Sequence, residues 1–383
     1  MLNFAFTEEQ EEFRKVLKDF TKSELLPTYM EWDRKGIFPG RLWKKMGEIG
    51  LTGLRIPAKY GGSEVDCVTT GIAAEEIGRG NFSMTAAVSS NALIGEIITK
   101  HASEEMKSKW LPPFASGEKI IGIAITEPGS GSDAAGLKTK AERRGDSYII
   151  SGEKSGITLA TVADAFIVFA KTDPELGSRG VSAFLIESDR IGFDKKGYED
   201  VGNIPTGRGS LYLDRVEIPK ENLLGEEGKG FYQVMNGFDF SRFLLGLQAL
   251  GSAYQTIEET IEHVKTRESF GKPLVRNQGV SFPIVEHYTQ MELVRWQCYR
   301  GLWMRDQGMT HTAEAAMCKW LGPKVSREAI QDCLLLNGHY AYTKEMPIEQ
   351  RLRDVMGMEI GDGTAQIQKI VIGKKLFGKE FKL

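Results

Sequence analysis

The chain has 383 residues, of which 41% are hydrophobic and 26% are charged, a composition typical of soluble globular proteins with two or three domains. Its formal net charge of −3 gives no general attraction for nucleic acid or for an anionic membrane surface. The four cysteines include no Cys-x-x-Cys pair and the five histidines no His-x-x-x-His pair, which favours free thiols and argues against a metal site.

The N-terminal segment, Met1 to Gln10, has neither the order of a secretory signal, basic then apolar, nor the Arg- and Ser-rich composition of a transit peptide. The sequence also lacks an uninterrupted apolar run of about 20 residues, so no membrane span is expected. A cytoplasmic location fits this pattern, as would a chain from which a leader has been removed.

The first third of the chain is predicted to be helical. Thr7 and Gln10 have the spacing of a capping box. Apolar residues then recur with the i, i+3, i+4, i+7 spacing of one buried helix face, at Phe13, Val16, Leu17 and Phe20. Three further helices, broken by glycines and by Pro112-Pro113, are predicted over 73–77, 86–99 and 104–111.

The middle of the chain is predicted to be a β domain of roughly 100 residues, a usual domain size. Short runs rich in Ile, Val, Phe, Tyr and Leu alternate there with turn residues such as Gly145-Asp146. The predicted strands are 119–126, 147–151, 165–171, 181–187 and 210–218.

From residue 226 onward the helical period returns, which predicts a helical bundle. The long amphipathic segments lie near 228–268, 281–307, 311–336 and 347–356. Neither an internal repeat nor a low-complexity tract is present in the sequence. Periodicity therefore predicts an α, then β, then α organisation and no function.

Five segments carry polar side chains, and four of the five combine these with glycines. Residues 125–133 read Ile-Thr-Glu-Pro-Gly-Ser-Gly-Ser-Asp, and residues 152–158 read Gly-Glu-Lys-Ser-Gly-Ile-Thr. Residues 238–242 read Phe-Asp-Phe-Ser-Arg, 267–274 read Arg-Glu-Ser-Phe-Gly-Lys-Pro-Leu, and 360–368 read Ile-Gly-Asp-Gly-Thr-Ala-Gln-Ile-Gln. Glycines let a backbone approach a ligand that hydroxyls or a guanidinium can then hydrogen-bond. No Gly-Lys-Ser/Thr follows the first segment, so a nucleotide P-loop is excluded.

Each segment also has a purely structural interpretation. The first is an ordinary Gly/Ser turn, and Gly156 is a turn glycine. Asp239 and Arg242 form an i, i+3 ion pair on a helix. The stretch from Gly271 to Pro273 ends a helix, and Asp362 is an N-cap-like residue. No single segment decides between the structural and the functional interpretation.

Together and in this order, the segments resemble the acyl-CoA dehydrogenases, whose helix–β–helix layout matches essentially the whole chain. The resemblance implies an α+β fold with an N-terminal helical domain (1–118), a middle β-barrel-like domain (119–225) and a C-terminal four-helix bundle (226–383). It implies FAD as the cofactor, an acyl-CoA substrate and electron-transferring flavoprotein as the electron acceptor. It also implies a homotetramer, built as a dimer of dimers.

By this resemblance, Thr126 and Thr158 hydrogen-bond the flavin ring, whereas Arg267 and Gln278 reach the FAD of a neighbouring subunit. Thr364 and Gln366 hold the adenosine half. The family's Gln-x-x-Gly-Gly segment corresponds to residues 335–339, which contain no Gln. The complete set of implied FAD contacts is Ile125, Thr126, Ser132, Ile157, Thr158, Arg267, Phe270, Gln278, Thr364 and Gln366.

The resemblance further assigns the substrate contacts. Asp239 and Arg242 correspond to a motif that contacts the CoA part of the substrate. Asn91 and Ile94 lie on a helix that borders the acyl pocket, and the sequence does not decide which of them faces the ligand. The implied substrate-binding residues are Asn91, Ser132, Asp239, Arg242 and Gly363.

Asp362 occupies the position of the family's catalytic Glu, which removes the substrate α-proton. A carboxylate held near a thioester α-carbon suits that task, but Asp reaches about 1.5 Å less far than Glu. Gly361 replaces a Tyr and Gly156 a Trp, so both changes widen the site. One family branch carries its base at the position of Ser241, and serine is no comparable base.

These departures predict a substrate that is bulky at its α-carbon. The specific hypothesis is α,β-dehydrogenation of cyclohexane-1-carboxyl-CoA to cyclohex-1-ene-1-carboxyl-CoA, as in the Asp-containing branch that the chain resembles. Three alternatives remain. The chain could be a branched- or short-chain acyl-CoA dehydrogenase, an enzyme like the nitroalkane oxidases, which share the fold and use Asp, or a non-catalytic flavin-binding partner.

Overall fold

The computed structural model describes residues 5–381. Met1 to Phe4, which belong to the segment without a predicted targeting signal, lie outside this range, as do the last two residues. The described chain forms helices, then a β-sheet, then helices, so the predicted α+β organisation is confirmed. Within residues 5–381, every helix is too short or too polar to cross a membrane.

Six α-helices precede the sheet in the described part of the chain. As predicted, Thr7 caps the first one in a capping box with Gln10. The expectation that Val16 lies on the buried face is wrong: Val16 is 57% exposed, because the buried stripe of this helix centres on Arg14 and Leu17. The helices are α1 (Glu8–Phe20), α2 (Tyr29–Lys35), α3 (Gly40–Glu48), α4 (Cys67–Gly80), α5 (Ala86–His101) and α6 (Glu104–Ala115).

The predicted helix end before Pro112-Pro113 is also wrong. Helix α6 continues through both prolines to Ala115. The Pro112 and Pro113 carbonyls accept hydrogen bonds from the amides of Ser116 and Lys119, which closes the last turn. Prolines within one turn of a helix end remove few hydrogen bonds, so the helix tolerates them.

The middle segment forms one seven-stranded sheet in the order β1-β4-β2-β3-β7-β6, with β5 paired to β4. The five strands predicted from apolar runs are present. Strands β2 and β6 were missed because they are short and mostly exposed. The strands are β1 (Ile121–Ala124), β2 (Lys140–Arg144), β3 (Ser147–Ile157), β4 (Ala165–Lys171), β5 (Val181–Glu187), β6 (Phe193–Gly197) and β7 (Gly209–Pro219).

Within residues 5–381, five α-helices follow the sheet, with a short hairpin of β8 (Glu268–Ser269) and β9 (Lys272–Pro273) after the first of them. A Cβ added at Gly322 would lie 2.6 Å from the Gly246 Cα, so two of these helices cross with their backbones in close contact. The helices are α7 (Gly230–Thr266), α8 (Gln278–Asp306), α9 (Thr312–Asn337), α10 (Ile348–Gly357) and α11 (Ala365–Phe377), the last of which was not predicted.

Asp354 joins the three parts of the chain. Its carboxylate is buried and accepts hydrogen bonds from the Tyr29 hydroxyl at 2.6 Å and from the Asn203 amide at 2.6 Å. Tyr29 belongs to the first helical part, Asn203 to the loop before β7, and Asp354 to α10. The Asn203 loop is tied through Thr206 to the Leu159 amide beyond β3. The sheet and α10 are therefore held in register with each other.

Candidate active site

The sheet brings the segments 125–133 and 152–158 together. The Ser155 amide donates to the Thr126 carbonyl at 2.9 Å, so the loop after β1 lies alongside the end of β3. The β3–β7 register shifts between Lys154 and Ile157, which is the mark of a β-bulge. Gly156 sits in this bulge with φ +66°.

A buried ion pair fixes this arrangement. The Lys154 side chain is fully buried, and its ammonium donates to Glu127 Oε1 at 2.8 Å and to the Ile125 carbonyl at 3.1 Å. Glu127 also accepts from the amides of Lys138 and Thr139. Burial lowers the pKa of Lys154 to about 8, and the Lys154 charge helps to hold the pKa of Glu127 below its usual value against desolvation. The pair therefore anchors the 125–133 loop on β3.

Two threonine hydroxyls suit the FAD contact that the sequence predicts. Thr126 and Thr158 are half-buried at neighbouring positions, and their hydroxyls bond to no other residue within 5–381. Ile125 and Ile157 are buried beside them, whereas Ser132 is exposed on the loop. A flat polar ring with several acceptors fits two unpartnered hydroxyl donors on segments that the Ser155–Thr126 hydrogen bond holds together. The residues present therefore fit FAD.

The site is less open at Gly156 than expected. A Cβ built on Gly156 meets the Arg208 guanidinium at 3.5 Å, and Arg208 is itself held by Asp200 at 2.9 Å. The positive φ of Gly156 also disfavours any L side chain. The backbone of the bulge therefore favours glycine at position 156, in line with the structural interpretation of Gly156 as a turn glycine.

Asp362 lies in the loop between α10 and α11, with φ +52°. It is not an N-cap: Thr364 caps α11 by accepting from the Ile367 amide. The Asp362 amide bonds to no acceptor within residues 5–381 and remains free to donate. Beside it, a Cβ built on Gly361 meets nothing nearer than the Gly357 carbonyl at 3.7 Å. The open space predicted at Gly361 is therefore present.

Two cations stand near the Asp362 carboxyl. The side chain is accessible to solvent, yet the protein around it displaces enough water to raise its pKa. The positive charges of Lys319 and Arg242 oppose that rise. The result is a carboxylate whose pKa lies above the usual value and so closer to neutral pH, as a general base requires.

Arg242 forms the ion pair with Asp239 that its spacing predicts, at 2.9 Å. Asp239 is fixed from the other side by the Thr312 hydroxyl at 2.6 Å. The buried Arg242 Nε has no partner within residues 5–381, which leaves a donor near Asp362. Ser241 donates to the Phe238 carbonyl of its own helix, so its role is local.

The structure does not place every predicted site residue near Asp362 and Arg242. Arg267, Phe270 and Gln278 lie beyond the end of α7, roughly 36 Å along that helix from Arg242. All three are exposed, and Phe270 is 98% exposed. They form a surface group around the β8–β9 hairpin, too distant to act in the site of their own chain.

Three other predicted residues have defined places. Asn91 is buried on α5, where its Nδ2 donates to the Thr52 carbonyl at 3.2 Å while its Oδ1 is unpartnered within residues 5–381. Gly363 uses its carbonyl inside the protein, as an acceptor for Lys319 and Gln368. Gln366 is exposed on the first turn of α11.

A polar cleft of about 560 Å³ opens beside Asp239. Asp362, Thr126 and Thr158 lie outside its lining, so the cleft is not the reactive centre. Its charged walls suit a polar part of a ligand rather than an acyl group. They include Arg55, Glu96, Lys100, Arg305 and His311.

Sequence reasoning passed over Lys319 and gave no role to Lys154 and Gln368, although these two stand within residues 152–158 and 360–368. The three side chains hold the loops that carry the candidate site residues. A signal for Lys319 was present, since Ala315, Lys319 and Gly322 follow the i, i+4, i+7 spacing of a buried helix face. A lysine on such a face needs a compensating partner. That requirement pointed to a structural or functional role.

Three family models match the chain in sequence. The models described as acyl-CoA dehydrogenase N-terminal, middle and C-terminal domain match residues 7–118, 122–216 and 228–377. An acyl-CoA dehydrogenase of Bacillus subtilis is 36% identical over 97% of this chain and 99% of its own length. A short-chain-specific acyl-CoA dehydrogenase of Clostridium acetobutylicum is 35% identical over 98% of this chain and 100% of its own length. A subunit of the caffeyl-CoA reductase–Etf complex of Acetobacterium woodii is 34% identical over 98% of this chain and 100% of its own length.

Solved structures agree with this assignment. Butyryl-CoA dehydrogenase of Megasphaera elsdenii superposes with a TM-score of 0.95 at 33% identity, covering 98% of this chain and all of that one. A chain from a study of the electron transferring flavoprotein of Acidaminococcus fermentans superposes with a TM-score of 0.96 at 33% identity. The match covers 99% of this chain and 100% of that one. PigA, solved with FAD and proline, gives 0.95 at 28% identity over 98% and 99%. The chain therefore belongs to the acyl-CoA dehydrogenase family and is an FAD-dependent oxidoreductase.

Proposed function

We propose that this acyl-CoA dehydrogenase introduces the α,β-double bond of a bulky alicyclic acyl-CoA, with Asp362 as the base. The best specific candidate is cyclohexane-1-carboxyl-CoA, converted to cyclohex-1-ene-1-carboxyl-CoA. The observation that carries the proposal is the open space at Gly361 beside a short carboxylate. A ring joined to the thioester carbon would occupy that space and bring its α-carbon towards Asp362.

Asp362 removes the α-proton in this proposal. Its raised pKa makes the carboxylate a stronger base, and Lys319 and Arg242 keep it ionised. The free Asp362 amide donates to the thioester oxygen, where negative charge develops as the proton leaves. FAD, which Thr126 and Thr158 would hold, would supply the hydride acceptor for the β-carbon.

Other residues of the chain orient the substrate. Asp239 lines the polar cleft and pairs with Arg242, whose charge acts on Asp362 and whose Nε is unpartnered within 5–381. This order suits a thioester at Asp362 whose CoA part extends past Asp239. We assign Ser132, Gly363 and Asn91 to the substrate as well, on the family resemblance.

A short-chain substrate is the second candidate. It is favoured by the names of relatives such as the short-chain-specific enzyme of Clostridium acetobutylicum and the butyryl-CoA dehydrogenase of Megasphaera elsdenii. Arg208 beside Gly156 also reduces the space on that side of the site. Retention of Asp239 and Arg242 favours a CoA ester over a small nitroalkane.

We further propose electron-transferring flavoprotein as the electron acceptor and a homotetramer as the assembly. The first rests on the relative named as part of an Etf complex. The second rests on the exposed Arg267, Phe270 and Gln278, which would complete the FAD site of a second copy.

Anaerobic titration of the FAD-loaded enzyme tests the substrate. Cyclohexanecarboxyl-CoA should bleach the flavin absorbance faster than butyryl-CoA, and nitroethane should leave it unchanged. The Asp362→Asn variant should retain FAD and show no bleaching, because the amide cannot accept the α-proton.

Each outcome has one interpretation. Faster bleaching by butyryl-CoA than by the ring substrate would contradict the alicyclic proposal and support the short-chain candidate. Bleaching by nitroethane alone would indicate a nitroalkane oxidase, and no bleaching by any of the three compounds would indicate a non-catalytic partner. Full activity of Asp362→Asn would remove Asp362 from the mechanism.

A further inference from the structure

Lys319 is a buried lysine at the back of the site. It lies on α9 and is 1% exposed, between Cys318 and Trp320. Burying an ammonium is costly unless its donors find acceptors. Burial, helped by the neighbouring Arg242 cation, lowers the pKa of Lys319 to about 8, although Asp362 and Glu359 oppose the shift. A buried cation in this place calls for a reason beyond packing.

The ammonium clamps the loop that carries the base. It donates to the Met358 carbonyl at 2.7 Å and to the Gly363 carbonyl at 2.8 Å. These acceptors lie four residues before Asp362 and one residue after it. Because Asp362 has φ +52°, a conformation that is uncommon outside glycine, its backbone needs such external support.

Gln368 supplies a second, uncharged clamp. Its Nε2 donates to the Gly363 carbonyl at 3.0 Å and to the Asp362 carbonyl at 3.3 Å. Hydrogen bonding alone is therefore shared between two side chains. What Lys319 adds is a positive charge.

That charge has few anions to act on. Within residues 5–381, Lys319 forms no ion pair. Glu359 is already paired with Arg327. The remaining carboxylate that feels the charge is Asp362, which also feels Arg242 on α7. The two cations thus act on Asp362 from two different helices.

We propose that Lys319 is a positioning residue for the reaction: it fixes the strained Asp362 loop through carbonyls on both sides of Asp362 and places a buried positive charge against that loop. This inference rests on the proposed function of Asp362. Lys319 itself bonds to backbone carbonyls and touches no reacting atom.

Two variants separate the clamp from the charge. Lys319→Met removes both, and Lys319→Gln keeps a hydrogen-bond donor but removes the charge. Lys324→Met is the matched control, since Lys324 lies on the same helix and pairs with Glu328 at the surface. The measurement is the rate of anaerobic flavin reduction at saturating substrate from pH 5 to pH 9, with FAD content and Tm as checks on folding.

Lys319→Met should reduce the rate by about 100-fold, since a base displaced by about 1 Å loses that much. Its substrate Kd should stay within about twofold, because Lys319 does not contact the substrate. Lys319→Gln should recover part of the rate. In both variants the acid limb of the profile should move to higher pH by about one unit, because loss of a nearby cation raises the pKa of a carboxyl. Lys324→Met should match the wild type.

A rate that falls equally at every pH, with an unmoved acid limb, would show a merely structural Lys319 and overturn the inference. If Lys319→Met fails to fold, the acid limb of Lys319→Gln decides the question alone. Asp362→Asn, measured in parallel, distinguishes a failure of the proposed function from a failure of the Lys319 inference. Full activity of that variant would overturn the proposed function, whereas an inactive Asp362→Asn with an unmoved acid limb in Lys319→Gln overturns this inference only.

Discussion

At the scale of single residues, Asp362 shows how a shorter side chain is accommodated. Its backbone adopts the left-handed region, its amide remains free, and Thr364 takes the capping role that Asp362 does not fill. The neighbouring Gly361 leaves an open space that a side chain would occupy. In the proposed mechanism, the two residues provide a base with open space beside it.

Restoring an aromatic side chain should close that room. Gly361→Tyr is sterically possible, since Gly361 is exposed and its φ is not positive. We expect kcat/KM for cyclohexanecarboxyl-CoA to fall by at least about tenfold, the effect of about 1.4 kcal/mol of lost transition-state binding. The value for butyryl-CoA should change less.

Gly40→Tyr is the control for this variant, because Gly40 is exposed at the start of α3 with nothing near its Cβ position. It should leave both kcat/KM values unchanged. An equal loss for both substrates in Gly361→Tyr would mean that Gly361 serves the loop and not the acyl pocket.

At the scale of elements, the proposed flavin-binding surface depends on how the loop after β1 is joined to β3. Lys154 on β3 reaches across to the loop after β1 and meets Glu127 and the Ile125 carbonyl. The strand register shift that places Gly156 and Thr158 begins at Lys154. The bulge and the ion pair together give two separate loops one rigid geometry.

Lys154→Met should therefore destabilise the fold and weaken FAD binding. It leaves the buried Glu127 carboxylate without its cation, a change that costs about 3 kcal/mol. Thermal unfolding and the ratio of flavin to protein absorbance measure both effects. The double variant Lys154→Met/Glu127→Gln should recover part of the stability, since no buried charge is then left unpaired.

Lys35→Met provides the surface comparison. Lys35 pairs with Glu31 on α2, where the two side chains are 54% and 46% exposed. Exposed pairs contribute about 1 kcal/mol or less. A loss for Lys154→Met as small as that for Lys35→Met would contradict a structural role of the buried pair.

At the scale of the whole molecule, Asp354 connects the first helical part, the sheet and α10. Burial raises its pKa to about 6, although the Tyr29 and Asn203 hydrogen bonds and the Arg353 cation oppose the rise. The carboxylate is thus held at an electrostatic cost that the connections offset.

The stability of the protein should reflect that cost. Between pH 3.8, the unfolded pKa of Asp354, and its folded pKa of about 6, the folded state binds one proton more than the unfolded state. The stability that this proton contributes is therefore fully present below pH 3.8 and is lost as pH rises through 6. Relative to wild type, Asp354→Asn should be most destabilised near pH 4. The difference should shrink by about 3 kcal/mol by pH 7.

Urea unfolding at several pH values measures this trend. A difference between wild type and Asp354→Asn that stays constant from pH 4 to pH 7 would contradict the raised pKa of Asp354. Asp146→Asn is the matched control, because the Asp146 side chain is 85% exposed.

The proposed assembly predicts complementation between copies. Arg267→Ala should keep its own Asp362 but lose the FAD of its partner's site. Asp362→Asn should keep the Arg267 that serves its partner but lack a base in its own site. Hetero-oligomers formed by refolding a mixture of the two variants should regain up to about a quarter of the wild-type activity per site, because random pairing joins an intact base to an intact Arg267 in that fraction. Activity in Arg267→Ala alone would contradict the shared site.

By itself, the sequence determined the family, the α–β–α order and most elements, because long apolar periods and glycine-rich motifs are local signals. It also singled out Asp362, Gly361, Thr126 and Thr158 as candidate site residues, and the two threonines lie on the loops that follow β1 and β3. Tertiary structure decided what supports them. Lys154, Lys319 and Asp354 act on partners between 27 and 325 residues away in the chain, and Arg208 narrows the space at Gly156. Burial and pairing of such groups arise only when distant elements pack, so no local pattern carries them.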